Sequence, residues 1–240
     1  LDIMDSKYKY NSWPLGKVPK ELQRPELDLI RDMGYKWSDP RDVIDIFEEK
    51  ISIFSGSKYA VSVDCCSNGL FLCMKYLYKK KIDVVIPSRT YASVPMQICH
   101  AGLNPIYEDI EWSGVYQLKG TPIWDSAGRY TKDMYLGGDA LQVLSFQIKK
   151  KIPIGKGGVI LTDDKKAYDW LKLSSYDGRD LKLPYTDNNH VKQIGWHMYM
   201  TPEDAARGII LMDKTSEIND DFQNDKMYPD LRNLLKNIQL

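Results

Sequence analysis

The chain lacks an excess of charge of either sign, and it lacks any long apolar run. Its 33 Lys and Arg residues are balanced by 33 Asp and Glu residues, so the formal net charge is zero. A protein whose main task is to hold a nucleic-acid backbone needs a clear basic excess, because it must neutralise phosphates. No stretch of about 18 or more apolar residues occurs. We therefore expect neither a nucleic-acid partner nor a membrane span. A net charge of zero does not exclude a local basic pocket for one small anion.

Cysteine is also scarce, and its spacing excludes two kinds of site. The four cysteines do not show the paired C-x-x-C spacing of zinc sites, and adjacent Cys65 and Cys66 cannot readily bond to each other. We expect reduced thiols, no disulfide framework and no metal. The first residues contain no apolar segment of the signal-peptide type. A cytoplasmic location is the expectation that follows.

The length of 240 residues suits one large domain or two small ones. Residues 1–38 are polar and are interrupted by Pro14, Pro19 and Pro25, so they are predicted to be irregular. Residues 40–54 carry apolar residues at helical spacing, which predicts an amphipathic helix. Its expected inward face consists of Val43, Ile44, Phe47 and Ile51.

The start of this helix has a candidate cap. Asp39 or Ser38 could accept a hydrogen bond from a free N–H of the first turn. Pro40 would then open the helix, where a missing N–H costs little.

From residue 59 onward, strand and helix patterns alternate. Helices are predicted over 68–80, over 91–102 with Gly102 as the terminating residue, and over 165–178. The predicted strands cover 59–63, 83–88, 104–110, 121–127, 140–146 and 157–164. This alternation predicts an α/β fold in which a mainly parallel sheet is covered by helices on both faces.

Chemically useful residues follow the ends of these strands, where ligands bind in open α/β sheets. The turn 64–69 opens a helix with small residues, so its backbone N–H groups could bind an anion. Tyr91, Asp125 and the lysine triplet 149–151 follow later strands. Each feature alone has a common structural explanation. A turn of small residues usually just connects two elements, and an acid after a strand usually caps a helix. Three consecutive lysines usually form a solvent-exposed turn. Together they are the parts that a pyridoxal phosphate site requires.

Six sequence segments show a further pattern in a fixed order. They are FEEKISIFSGSKYAVSVDCCSNGLFLCMKYL, VVIPSRTYASVPMQICHAGLNPIYEDI, IWDSAG, SFQIKKKIPIGKGGVILTDD, YDGRD and IGWHMYMTPEDAARGIILMD. Over about residues 43–214 the set resembles the DegT/DnrJ/EryC1/StrS sugar-aminotransferase family, whose members are fold-type-I enzymes dependent on pyridoxal phosphate. The resemblance implies a three-layer α/β sandwich in one cofactor-binding domain over residues 1–240. Residues 215–240 would be a remnant of a largely missing small C-terminal domain.

The resemblance also implies two catalytic residues. Lys150, five residues after Ser145, would be the lysine that forms a Schiff base with pyridoxal phosphate. It would then move protons as general base and acid. Asp125 would pair with the ring nitrogen of the cofactor. Lys149 and Lys151 would lower the pKa of Lys150 by like-charge repulsion.

The remaining cofactor-binding roles follow from the same resemblance. Ser145 and the helix start at Cys66 and Ser67 would bind the phosphate. The ring of Tyr91 would stack on the pyridine. His197 stands where relatives have an Asn that reaches across a dimer toward the phosphate of the partner, although a plain surface histidine is an equal alternative.

Several positions depart from the family pattern. Cys65-Cys66-Ser67 replaces Ser-Gly-Thr, and Gly128 stands where relatives have Gln. Between Asp109 and Asp125 there is only a short connector, where relatives insert a helix and a strand. We therefore expect a minimal member of the family.

Three functions are compatible with these residues. The leading one is a homodimeric aminotransferase that moves an amino group, with glutamate as the expected donor, to a keto-sugar nucleotide. The second keeps pyridoxal phosphate but performs another reaction, such as that of a lyase. The third is a catalytically lapsed relative that binds a ligand or a partner. Relatives that replace the lysine with histidine are disfavoured, because Lys150 is present.

Overall fold

The helices and strands alternate along the chain as the hydrophobic pattern predicts. The structure, a computed structural model, describes residues 20–184 and 186–234. In chain order its elements are α1 (Glu26–Asp32), α2 (Asp42–Ser55), β1 (Tyr59–Val63), α3 (Cys66–Leu77), β2 (Asp83–Pro87), α4 (Ser93–His100), β3 (Asn104–Glu108), β4 (Tyr116–Gln117), β5 (Ile123–Asp125), β6 (Leu141–Ser145), β7 (Gly158–Thr162), α5 (Lys165–Ser175), α6 (Pro202–Met212) and α7 (Leu231–Leu234). All six predicted strands are present, and Gly102 follows α4 with a φ of 84°. Within the described ranges, no helix has the length and apolarity needed to cross a bilayer.

The described strand pairings are mixed: three are antiparallel and two are parallel, because two strands are reversed. Its hydrogen-bonded order is β1-β7-β6-β5-β4, and β2 pairs with β3 in parallel. An antiparallel bridge between Val85 of β2 and Lys119, just after β4, joins the two parts. β7 is antiparallel to both β1 and β6, and β4 is antiparallel to β5. The other five described strands therefore share one direction.

The reversed strands have a simple cause that the sequence prediction omitted. Parallel neighbours need a crossover of a dozen or more residues, usually a helix. β6 and β7 are joined by a loop without a helix, and β4 and β5 by a short turn, so both pairs are antiparallel. β4 itself was not predicted, because a two-residue strand leaves no periodic signal.

Two separate cores lie on the two faces of the sheet, which confirms the three-layer arrangement. Adjacent strand residues point to opposite faces. Val61 and Val63 pack with α3, α4 and α5, whereas Ala60 packs with α1, α2 and α6. β7 divides in the same way, with Ile160 in the first core and Val159 and Leu161 in the second. β1 and β7 are therefore buried on both sides.

The predicted helix over 40–54 exists as α2, and its four expected inward residues are buried. The helix begins two residues later than expected, at Asp42, because residues 39–44 enter it through tight i→i+3 hydrogen bonds. Arg41, directly before the helix, provides no side-chain cap, but the Asp39 carboxylate does accept a hydrogen bond from an N–H of the entering turn. The Asp39 carboxylate accepts from the Arg41 N–H at 2.8 Å, while Asp42 accepts from the N–H of Asp39 at 2.9 Å.

The expectation that residues 1–38 are irregular is also wrong in part. Residues 26–32 form α1, and its Ile30 is fully buried in the core that contains α2 and α6. Pro25 precedes the helix, where its fixed φ suits a helix start, so it does not break it. Residues 1–19, and with them Pro14 and Pro19, lie outside the described residues.

Two glycines let α3 approach the sheet closely. A Cβ at Gly69 would lie 2.7 Å from Cγ1 of Val143 on β6. A Cβ at Gly158, the first residue of β7, would lie 2.6 Å from the backbone nitrogen of Cys66. The start of α3 is therefore held directly beside the ends of the central strands.

The two faces of α2 give a matched test of this packing. Ile51 is fully buried, whereas Ile53 is 72% exposed on the same helix. We expect Ile51→Ala to lower the free energy of unfolding by about 2–5 kcal/mol. Ile53→Ala should change it by less than about 0.5 kcal/mol. Urea unfolding measures both, and equal losses would contradict the described burial of α2.

Candidate active site

The carboxylate of Asp125 lies at the end of β5 and is almost fully buried, with 5% exposure. It accepts hydrogen bonds from the Tyr116 hydroxyl at 2.8 Å and from the Ala127 N–H at 2.9 Å. The Tyr116 hydroxyl has one proton and gives it to Asp125, so the Thr90 hydroxyl, 2.6 Å away, donates to Tyr116. A buried relay therefore runs from Thr90, in the loop after β2, through Tyr116 of β4 to the acid.

Burial decides the ionisation of this acid. It raises the pKa of Asp125 above the usual value, because a charge is costly away from water. The bonds from Ala127 and Tyr116 and the nearby charge of Lys150 oppose that rise. The pKa of the Tyr116 phenol lies well above its usual value for the same main reason, burial. Tyr116 therefore remains a donor across the range in which Asp125 titrates.

Lys150 differs from the two lysines that flank it. Lys149 and Lys151 are exposed, whereas Lys150 is half-buried in the loop after β6. Its Nζ donates to Oε1 of Gln223 and is electrostatically coupled to Cys66 and Asp125. Burial lowers the pKa of Lys150, while its interactions with Cys66 and Asp125 raise it. The direction matches the sequence prediction, but the main cause is burial and not repulsion from its neighbours.

The start of α3 completes this cluster. Cys65 precedes the helix in an extended conformation, and φ is positive at no non-glycine residue of the described chain except Asp133 and Asp177. The turn therefore accommodates Cys66 without backbone strain. Burial raises the pKa of the Cys66 thiol well above its usual value, and the thiol is coupled to both Asp125 and Lys150. Ser67 shares a hydrogen bond of 2.6 Å with Ser93, the first residue of α4.

Three further predicted residues differ in their exposure and contacts. Ser145 ends β6 beside Gly158, half-buried, with its hydroxyl 3.5 Å from the Gln147 nitrogen. Tyr91 is 61% exposed. His197 is exposed, with Nδ1 2.9 Å from Asp177 Oδ2 and its ring edge-on to Tyr199. Among the described residues, no hydrogen bond, ion pair or ring contact joins His197 to Asp125 or Lys150.

The C-terminal segment, residues 215–234, contributes groups that sequence reasoning missed. Gln223 accepts a hydrogen bond from Lys150. The half-buried Tyr228 interacts electrostatically with Asp125, Tyr91 and Cys66. The segment has little regular structure and was expected to be a domain remnant. Tyr116 was missed as well, since it lies in the connector without a periodic pattern. Only the aromatic residues of an otherwise short connector could have drawn attention to it.

The chemistry of this donor set fits pyridoxal phosphate. The cluster offers a buried carboxylate, an amine whose pKa is lowered, and the free N–H groups at the start of the 12-residue helix α3. The first suits a ring nitrogen, the second an aldehyde, and the third a phosphate. The hydroxyls of Ser67 and Ser145 lie at the ends of the same elements.

Comparison with known proteins identifies the class. The model of the DegT/DnrJ/EryC1/StrS aminotransferase family matches residues 28–118 and 125–240. The chain therefore belongs to this family, which confirms the resemblance drawn from the six segments. Membership also supports the expectation of an aminotransferase that depends on pyridoxal phosphate.

Individual relatives show the same relationship at lower identity. Spore coat polysaccharide biosynthesis protein SpsC of Bacillus subtilis is 26% identical, over 81% of this chain and 61% of that protein. The structure resembles Helicobacter pylori PseC, an aminotransferase of pseudoaminic acid biosynthesis, with a TM-score of 0.62 and 17% identity over 80% of this chain and 63% of that one. It also resembles Bacillus subtilis NtdA with bound cofactor PMP, with a TM-score of 0.60 and 19% identity over 78% and 51%. The chain spans about three fifths of the length of the curated relatives it matches.

The relay to Asp125 generates a stability prediction. Tyr116→Phe removes a donor from a buried carboxylate, so we expect a loss of about 1–3 kcal/mol in the free energy of unfolding at pH 7. Tyr78→Phe is the control, because that hydroxyl makes only a 3.5 Å contact with the Gly120 carbonyl. The control should change by less than about 0.5 kcal/mol.

The pH dependence of that loss has a definite sign. The bond from Tyr116 favours the charged form, so its removal raises the folded pKa of Asp125 further. The extra cost exists only while Asp125 is ionised, and it should shrink as the pH falls through the folded pKa. Urea unfolding at pH 7 and near pH 4 measures this, and an unchanged deficit would show that Tyr116 does not act on the carboxylate.

Proposed function

We propose that this chain is a pyridoxal phosphate-dependent aminotransferase that moves an amino group from glutamate to a keto-sugar nucleotide. The observation that carries the proposal is the pairing of a buried acid at the end of β5 with a half-buried amine after β6. Of the three consecutive lysines, Lys150 is the one that is half-buried. Membership of the family supports the reaction class.

The names of related proteins support the proposed substrate class. SpsC is described as a protein of polysaccharide biosynthesis, and a further structural relative, DesI, was solved in the presence of its TDP-sugar product. That structure has a TM-score of 0.59 and 21% identity to this chain. A keto-sugar nucleotide is therefore the substrate to test first, and glutamate is the donor to supply.

Each residue of the cluster has a task in this chemistry. Asp125, held by Tyr116 and Ala127, would keep a pyridine nitrogen protonated, and the cofactor when bound supplies an electron sink. Lys150 would join the cofactor through its amine, and a lowered pKa increases the neutral, nucleophilic fraction. The same amine would accept and return the proton that the transfer requires. The start of α3, Ser67 and Ser145 would hold the phosphate, and the ring of Tyr91 would cover the pyridine.

Trapping of the cofactor tests the assignment of Lys150. Purified protein is mixed with pyridoxal phosphate, reduced with borohydride and mapped by peptide mass spectrometry. We expect one stoichiometric adduct on Lys150 that is lost in Lys150→Ala. Lys149→Ala and Lys151→Ala should retain it, because those side chains are exposed, whereas Lys150 is half-buried.

Two results would count against the proposal. Absence of an adduct, or labelling scattered over Lys149, Lys151 and other surface lysines, would favour a lapsed relative that binds another ligand. A specific adduct without amino transfer to any keto-sugar nucleotide would favour a different pyridoxal phosphate reaction.

We further propose that the chain acts as a homodimer in the cytoplasm and that His197 serves the site of the second copy. In one chain His197 is exposed and contacts Asp177 and Tyr199, away from Lys150. An exposed imidazole beside a carboxylate can donate to an anion brought by a neighbouring subunit. A monomer in light scattering at saturating cofactor would contradict the dimer.

Mixed subunits test the role of His197. Lys150→Ala and His197→Ala chains should each be nearly inactive alone, because each dimer carries two defective sites. A hybrid of the two regains one intact site if His197 acts across the interface. We therefore expect activity to recover toward about a quarter of the wild-type value after random mixing. No recovery, with hybrids verified by mass spectrometry, would contradict action across the interface.

A further inference from the structure

Gln223 is the polar side chain that meets the amine of Lys150. Its Oε1 accepts from Lys150 Nζ at 2.5 Å, although the two residues lie 73 positions apart. The ring of the preceding residue, Phe222, has its centroid 5.9 Å from the same Nζ. A lysine side chain is flexible and loses rotamer freedom when its amine is held in one place. A fixed acceptor at its tip therefore restricts where the amine lies.

Two glycines make room for Gln223 in this place. A Cβ at Gly128 would lie 3.0 Å from the Cβ of Gln223 and 3.1 Å from the Cα of Gly114. Gly114 has a φ of 67°, and a Cβ there would overlap the Asp221 carboxylate at 2.1–2.4 Å. A side chain at either position would conflict with the present path of residues 221–223.

The backbone around Gln223 is fixed on both sides. Arg129 holds Asp221 with two hydrogen bonds of 2.7 Å each. The Phe222 N–H donates to the Gly128 carbonyl at 3.1 Å, and the Gly114 N–H donates to the Gln223 carbonyl at 2.8 Å. These contacts attach the C-terminal segment to the two turns that flank Asp125 in the sequence. The position of the Gln223 amide is therefore set by the same turns that carry the acid.

We propose that Gln223 is a positioning residue that orients the amine of Lys150, and that Gly114 and Gly128 allow it to do so. The inference deepens the proposed function, because the amine it orients is the one assigned to the cofactor. A neutral amide orients an amine without adding a full charge beside it. The ionisable groups coupled to Lys150 are then Asp125 and Cys66, while the flanking Lys149 and Lys151 are exposed.

Competitive acetylation of the chain without cofactor tests the contact directly. Limiting acetic anhydride is applied across a pH series, and the labelling of Lys150 is followed by peptide mass spectrometry. Gln223→Glu keeps the shape but adds a negative charge, so the midpoint of Lys150 labelling should rise by about one pH unit. Asn224→Asp is the matched control, since it adds the same charge one residue away and keeps the acceptor for the Lys226 N–H. The control should shift the midpoint far less.

A separate variant tests whether Gln223 needs a glycine at position 128. Gly128→Ala should shift Gln223 by a few tenths of an ångström and weaken trapping of pyridoxal phosphate on Lys150 in the same direction as Gln223→Ala, for which we expect about a tenfold loss. The double variant should be little worse than Gln223→Ala alone, because both changes act on the same contact. Equal shifts for Gln223→Glu and Asn224→Asp, or fully additive losses for the two alanine variants, would overturn the inference.

The outcomes separate this inference from the proposed function. The acetylation series needs no cofactor, so it reports only on the orientation of the amine. A labelling shift specific to Gln223→Glu, together with no cofactor adduct in the unaltered chain, would support the contact between Gln223 and Lys150. The same pair of results would contradict the proposed role of Lys150 in binding pyridoxal phosphate. An adduct on Lys150 without that shift would sustain the function and overturn the role of Gln223.

Discussion

The burial of one carboxylate is the constraint on which the candidate site depends. Asp125 loses most of its contact with water, and an isolated charge in that position would be costly. Tyr116, the Ala127 N–H and the nearby amine of Lys150 offset that cost. Each partner comes from a different stretch of chain, so the acid can stay ionised only if those stretches meet. The ionisation of Asp125 therefore depends on the fold that brings its partners together.

Close backbone approach is what brings these stretches together. Gly158 lets β7 pass beside the start of α3, and Gly69 lets α3 lie on β6. Gly114 and Gly128 do the same for the C-terminal segment near Lys150. In each case a methyl group would meet atoms at about 3.1 Å or less. The separate elements of the site are therefore positioned by the residues that lack a side chain.

Hydrophobic periodicity was sufficient to predict the layers and most elements from the sequence. The inward face of α2 and the strand containing Val61 and Val63 follow directly from burial at regular spacing. Family motifs singled out Asp125 and Lys150 as candidates. Periodicity could not predict α1, which has only seven residues, or β4, which has two.

The contacts made by Tyr116 and Gln223 were also beyond the sequence. Each connects positions whose proximity depends on the path of an irregular segment, and irregular segments carry no repeating pattern. Exposure likewise distinguishes Lys150 from Lys149 and Lys151 only once the loop after β6 is folded. Local sequence therefore indicates which residue types are present, while the long-range path determines which of them meet.

Equilibrium binding of pyridoxal phosphate across a double-mutant cycle tests the central claim most directly. Asp125→Asn keeps the size of the acid and removes its charge, and Lys150→Ala removes the amine. If both groups act on one bound molecule, the wild type binds one cofactor per chain and each single variant binds at least about tenfold more weakly. The combined loss should then be smaller than the sum of the two free-energy changes. Unchanged affinity in both single variants would contradict a cofactor site built from Asp125 and Lys150.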